Sequence, residues 1–180
     1  MNTTQTPEQL LRFVGRQNIF AEQLSNGAYV PVRRKITLND LKNHLAGKAT
    51  FGSYVIREDG LITFAVIDID GDPDELDAWK NLGELIFSLF PDFERVFEFS
   101  GRRGYHIWLF CTKPEQPGFM RELVKSRLRK EGLRNIEIYP KQNTINATNK
   151  KLGSLVKIPC GKHQRGGWSK LLRCENGLEK

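Results

Sequence analysis

Runs rich in apolar and β-branched or aromatic residues, Phe64-Ala65-Val66-Ile67-Asp68-Ile69-Asp70 and Tyr105-His106-Ile107-Trp108-Leu109-Phe110, place alternate side chains on opposite faces, with Asp68 and Asp70 on one face of the first. Elsewhere apolar residues recur every three or four positions, as in Leu76, Trp79, Leu82, Ile86 and Leu89. The first rhythm predicts strands and the second a helix. Residues 9–16 suit a short helix after a polar start expected to fray. Thr37, with Asp40 three positions on, predicts a helix start, and Gly47 its end. A strand over 50–57 then reaches the turn pair Asp59-Gly60. After the strand 61–70, Asp72-Pro73-Asp74-Glu75 opens a helix that Pro91 stops. Strands over 94–100 and 104–111 are joined by the basic turn Gly101-Arg102-Arg103. A second helix follows Pro117, with Phe119, Leu123, Val124 and Leu128 on its apolar face, and ends near Gly132. A short strand over 135–139, a polar loop through Asn149, a strand over 154–158 and a hairpin around Gly166-Gly167 complete the chain.

Strand, helix, strand, strand, helix, strand from 61 to 139 is the ferredoxin-like or RRM-like order. It predicts an α+β protein in which two helices cover one sheet face and the last of these strands pairs with the first. The opposite face would carry Phe64, Val66, Trp108 and Phe110, a patch too apolar to stand bare. Residues 1–60 are therefore expected to form an N-terminal α/β annex over residues 61–180, making one composite domain with a cleft between the two parts.

The acids change the picture. If Ala65, Ile67 and Ile69 meet the helices, Asp68 and Asp70 share the open face about 6–7 Å apart. Their mutual repulsion is on the order of 2–3 kcal/mol at an effective dielectric near 20, which a cation or a basic partner must cancel. The same alternation brings Glu137, between Ile136 and Ile138, and His106 to that face. Three carboxylates and a histidine on adjacent strands suit a two-metal centre for phosphoryl chemistry, with His106 on phosphate rather than on metal. Solvated acids at a strand end are the plain alternative, and the better one for Asp72. The turn Ser100-Gly101-Arg102-Arg103-Gly104 offers a hydroxyl, forked positive charge and close backbone approach to a phosphate, although the same sequence also serves ordinary hairpins. Lys141, Lys157 and His163 are further candidate triphosphate contacts, and individually also ordinary surface charges.

The chain has 180 residues, and 28 Lys and Arg against 21 Asp and Glu leave a net charge of +7. With a pI near 9.4 this suits a polyanionic partner such as nucleic acid or nucleotide. No stretch approaches the roughly 18 apolar residues of a membrane span, and no basic run precedes an apolar core near Met1, so a cytoplasmic protein is expected. Cys111, Cys160 and Cys174 are too few and scattered for a disulfide scaffold. Cys160, His163 and Cys174 allow a zinc reading that lacks a fourth ligand.

Val66-Ile67-Asp68-Ile69-Asp70, Ser100-Gly101-Arg102-Arg103-Gly104-Tyr105-His106-Ile107-Trp108 and Ile136-Glu137-Ile138-Tyr139-Pro140-Lys141-Gln142 together resemble the three motifs of the archaeo-eukaryotic primase superfamily. The nearest branch is similar to the primase-polymerases of TOTE conflict systems and of CRISPR-associated systems. Phe13-Val14-Gly15-Arg16, His44 through Tyr54 and Lys157 through His163 carry its flanking pattern, so the resemblance spans residues 12–170. It implies an RRM-like catalytic module that binds two divalent ions, Mg²⁺ or Mn²⁺, a nucleoside triphosphate and a single-stranded or primed DNA template. By this resemblance Asp68, Asp70 and Glu137 hold metal, Ser100 and His106 contact the triphosphate, Lys48, Lys141, Lys157 and His163 add basic contacts, and Tyr54 lies against the sugar. The third acid is Glu137 where many members carry Asp. Such primases often use an extra module to grip the first nucleotide, and the chain stops soon after the last motif, as a core excised from a longer polypeptide would. Further domains or partners of a replication or defence system are thus implied.

Two other functions compete. An RRM-type binding module would use Arg103 to Phe110 as its aromatic strand, but Ile107 stands where a stacking ring is expected. A metal-dependent nuclease of relaxase type wants two histidines where Tyr105-His106-Ile107-Trp108 offers one, and the restriction-type D…E-x-K pattern fails because Lys141 lies four residues from Glu137, not two.

Overall fold

The computed structural model describes residues 5–144 and 152–175. Its first elements are α1 (Pro7–Leu10), which runs into a 3-10 turn (Leu11–Phe13), then β1 (Phe20–Gln23), β2 (Tyr29–Val32), α2 (Leu38–Leu45) and β3 (Phe51–Tyr54). There follow β4 (Ile62–Asp70), a 3-10 turn (Pro73–Glu75), α3 (Leu76–Ser88), β5 (Glu94–Phe99), β6 (Gly104–Glu115), α4 (Pro117–Lys130), β7 (Glu137–Tyr139), β8 (Leu155–Lys157) and β9 (Lys170–Glu175). Two antiparallel sheets result, ordered β2-β1-β3-β8 and β7-β4-β6-β5-β9. The expected RRM-like order holds in the second sheet, with β4 between β6 and β7.

Alternation along β4 and β6 divides the core. Ile67, Ile69, Tyr105, Ile107 and Leu109 pack with Ile86 and Phe87 of α3 and Val124 and Leu128 of α4. Phe64, Val66, Trp108 and Phe110 pack on the other side with Leu10, Phe13, Phe20, Leu41, Phe51 and Ile158. Phe13 meets Trp108 edge-on, with ring centroids 5.0 Å apart and planes at 84°, a geometry worth about 0.5–1.5 kcal/mol beyond the area it buries.

Several expectations change. The start of the chain does not fray from Thr6 onward. Thr6 and Gln9 form a capping box, and Leu10 is fully buried, so the first helix begins earlier and is shorter than 9–16. The β1–β2 hairpin was not expected, although Asn26-Gly27 is a strong turn pair and Gly27 takes φ +86° there. On α4, Met120 rather than Phe119 faces the core, and Phe119 is 59% exposed. Strand β8 joins the sheet of the N-terminal strands, so the two sheets do not part at residue 60. Strand β9, polar except for its leucines, attaches to β5 at the edge. Among the described residues no helix is long and apolar enough to cross a membrane.

Candidate active site

Cross-strand register assembles the site. Asp68 lies opposite His106 on β6 and opposite Glu137 on β7, while Asp70 lies opposite Gly104. A cavity of about 180 Å³ opens there, bordered by Asp68, Asp70, Ser100, Arg102, Arg103, His106, Lys157 and His163 from the expected set. Tyr29, Tyr139, Leu155 and Val156 complete its wall. Lys48 and Tyr54 do not border it: Lys48 is exposed just past α2, and Tyr54 packs with Ile19 and Ala21. Lys141, Glu137 and Gly104 are not on the wall either: the Lys141 ammonium donates to Glu137 at 2.9 Å, and Gly104 is paired with Asp70 across the strands. A larger hollow of about 880 Å³ opens beside Arg12, Arg57, Glu94 and Phe110, and none of the nominated residues borders it.

The acids differ in their surroundings. Asp68 is largely buried, and its Oδ1 is a buried atom without a hydrogen-bond partner. Burial raises its pKa, as do Asp70 and Glu137, against the opposing pull of His106. Asp70 accepts two hydrogen bonds from Arg103, at 2.9 and 3.1 Å. Glu137 is held by Lys141 and by the Tyr139 hydroxyl, also at 2.9 Å, and both lower its pKa. Among the described residues no three His, Cys, Asp or Glu side chains are drawn together closely enough to enclose a metal ion. That covers Cys160, His163 and Cys174 as well as the acids. The carboxylates nevertheless fit a divalent cation: they are hard oxygen donors on neighbouring strands, and one buried oxygen has its hydrogen-bonding capacity unspent.

A second buried acid, Glu98, was absent from the sequence-based set. It is fully buried on β5, opposite His106. Its Oε2 accepts from the Trp108 indole at 2.8 Å and stands 3.0 Å from His106 Nδ1, while Lys157 Nζ lies 3.6 Å from Oε1. Burial alone would raise the Glu98 pKa, but Lys157 and His106 pull it down to about 2. In return, although burial works against the imidazolium, Glu98 and Asp68 hold the His106 pKa above its ordinary value. For Lys157 burial wins, and its pKa falls. Glu98 therefore favours the charged forms of two basic groups at the cavity wall, offsetting part of the cost of burying them. The alternation test applied to β4 would have found it: Val96 and Glu98 share the face of Trp108 and His106.

The glycines of the turn answer to packing. A Cβ on Gly104 would lie 2.2 Å from the Asp70 carboxylate, and one on Gly101 2.8 Å from the Gly167 carbonyl oxygen. Gly101 takes φ +94° and its carbonyl accepts from the Gly167 N–H at 2.6 Å. The turn is thus clasped to the loop that brings His163.

The face an RRM uses to stack bases is closed here, since Phe64, Trp108 and Phe110 lie beneath the N-terminal layer. This disfavours the binding-module alternative. The family model of the TOTE conflict system archaeo-eukaryotic primase domain matches residues 9–170. The chain belongs to this family. Membership supports nucleotidyl transfer, with nucleotides and nucleic acid as substrates, for this primase domain. The AEP domain of cyanophage S-2L primase-polymerase is similar in fold, with TM-score 0.51 at 12% identity, covering 87% of this chain and 80% of that one. None of the curated proteins matches the chain.

Proposed function

We propose that this primase domain is a DNA-templated primase-polymerase that adds nucleotides from nucleoside triphosphates to a 3′-hydroxyl. The observation that carries the proposal is the desolvated Asp68 carboxylate, with an unsatisfied oxygen, beside Asp70 and opposite Glu137, at a cavity whose wall carries the basic side chains of Arg102, Arg103, His106, Lys157 and His163. A fold retains such a group at a cost, and active sites are where perturbed carboxylates cluster. Asp68, Asp70 and Glu137 would hold two divalent ions, Mg²⁺ or Mn²⁺, whose chemistry there is to acidify the attacking hydroxyl and neutralise the leaving group. His106, Lys157, His163, Ser100 and Arg102 bind and orient the triphosphate. The 3′-oxygen bonds to the α-phosphorus, the bond from that phosphorus to the bridging oxygen breaks, diphosphate departs, and the hydroxyl proton passes to solvent. Positioning and electrostatics do most of the work in such a transfer. Residues 1–60, their sheet completed by β8, act as the annex that roofs the catalytic sheet of residues 61–180.

Primer extension on a primed DNA template with Mg²⁺ or Mn²⁺, using ribo- and deoxyribonucleotides separately, tests the proposal. Product that vanishes in the Asp68→Asn plus Asp70→Asn variant is expected. Omitting the primer separates priming from extension. Shortened instead of lengthened primer would show a nuclease, and product unchanged in the double variant would overturn the site.

A further inference from the structure

Of the three tryptophans, Trp108 is fully buried and Trp79 partly so, but Trp168 is 43% exposed. It sits in the loop between β8 and β9, which is fastened at many points. Lys162 and Trp168 form an antiparallel bridge, and the His163 N–H donates to the Gly167 carbonyl at 2.9 Å. The Ser169 N–H donates to Gly161 at 3.1 Å, and its hydroxyl accepts from the Cys160 N–H at 2.6 Å. Gln164 is tied to Gln23 at 3.0 Å and to Thr50 at 2.8 Å. The indole is seated on the end of α2: a Cβ on Gly47 would lie 2.7 and 2.9 Å from its Cη2 and Cζ2. An exposed aromatic on so fixed a loop is a platform rather than a loose side chain.

The charges around it are the second observation. Lys48 follows Gly47, and Lys162 is the bridge partner of Trp168. Arg165 packs along Gly27, and the Arg102 stem lies against Gly166. All four are exposed, and among the described residues none has a carboxylate within 4.0 Å. Arg12, Arg34, Arg95, Arg103, Arg127, Lys141 and Arg173 are all neutralised by acids. Other exposed cations, among them Arg33, Lys35, Lys42, Lys80 and Lys170, also lack an acid partner among the described residues, so what distinguishes these four is their place around the exposed indole, from which Arg102 reaches the cavity wall.

We propose that Trp168, with Lys48, Lys162, Arg165 and Arg102, seats the unpaired templating strand of single-stranded DNA, one base stacking on the indole and the cations meeting its phosphates. A duplex keeps its bases stacked on one another, so the aromatic platform selects a single strand. The inference rests on the nucleotidyl-transfer function proposed above for the choice of ligand. Lys48, which does not border the cavity, acquires a role on this platform instead.

Binding of a labelled oligothymidylate of about 12 nucleotides, without metal or nucleotide, tests this. Trp168→Ala should weaken binding by roughly 5- to 100-fold, the range that loss of one base–aromatic stack implies. Trp168→Phe keeps an aromatic face and should stay within about threefold of wild type. Oligothymidylate should quench part of the wild-type tryptophan fluorescence, and Trp168→Phe should bind yet lose that quenching, because Trp108 and Trp79 remain as internal controls. Lys162→Ala or Arg165→Ala should each lower the salt slope by about 0.7. Equal binding by wild type and Trp168→Ala would overturn the inference and leave the face to a protein partner, as would absence of binding at low salt. Either result leaves primer extension intact as a separate measurement, so the two proposals fail independently.

Discussion

His44 sets an acid limit on the fold. Its ring is fully buried between α2 and the segment after β8. Nδ1 accepts the Phe51 N–H at 3.0 Å, so the neutral ring carries its proton on Nε2, which donates toward the carbonyls of Ile158 and Pro159 at 2.9 and 3.0 Å. Burial and then the nearby Lys157 charge push the pKa down to about 4, against weaker opposition from those carbonyls and Glu98. A second proton could go only to Nδ1, where the Phe51 N–H already points. The unfolded chain has a histidine near 6.5 and binds more protons between these values. The contribution is therefore complete above about 6.5 and is lost as pH falls toward about 4.

The loss attributable to this residue is about 2 kcal/mol between pH 7 and pH 5, and about 3 kcal/mol by pH 4. Urea denaturation of wild type and His44→Asn at the two higher values isolates it. Asparagine can still accept the Phe51 N–H but does not titrate. The variant should start about 1–3 kcal/mol less stable, having left a carbonyl partner unmet. Its stability should then fall with acid by about 2 kcal/mol less than wild type does. Parallel curves would refute the tautomer and burial argument together. The outcome bears on function because the same ring anchors the segment that carries Lys157 and leads to His163.

Asp68→Asn should abolish primer extension while raising metal-free stability by about 0.5–2 kcal/mol in thermal or urea denaturation, the usual trade between a costly functional group and the fold. Glu98→Gln removes the countercharge of Lys157 and His106; it should cost about 3–5 kcal/mol and raise the KM for nucleotide, and an unchanged KM with lowered stability would make Glu98 purely structural. Gly104→Ala would drive a methyl group against Asp70 and should weaken Mn²⁺ binding measured calorimetrically, whereas a wild-type affinity would show that Asp70 does not hold metal.

Period-two alternation sufficed for most of the catalytic sheet, because β4 and β6 are long and each has two unlike buried faces that a register slip would exchange. The same test puts Asp68 and His106 on one face of adjacent strands, and the register sets them opposite one another. It failed where strands are short or polar. Each β1 and β2 residue run is four long, and β9 has the composition of an exposed edge that pairing alone makes a strand. Phe119 was misplaced because a helix face is read from spacing, and Met120, one position on, satisfies the same spacing with Val124 and Leu128.

What the sequence could not show is which charge answers which. Arg103 belongs to the turn nominated for phosphate, yet it is spent on Asp70, and Lys141 is spent on Glu137. Both pairs are half exposed, so each contributes only about 0.2–1 kcal/mol and can be exchanged for a stronger partner. Asp68 faces the His106 imidazole at 3.6 Å, yet burial still raises its pKa and its Oδ1 accepts no hydrogen bond. This basic neighbour is shared with Glu98, which lies closer to that ring. Weak counter-ions at the rim beside an incompletely balanced carboxylate within suit a pocket that takes further positive charge from outside. The arginine and lysine displaced by that charge would then stand beside the cavity where an incoming polyphosphate needs them.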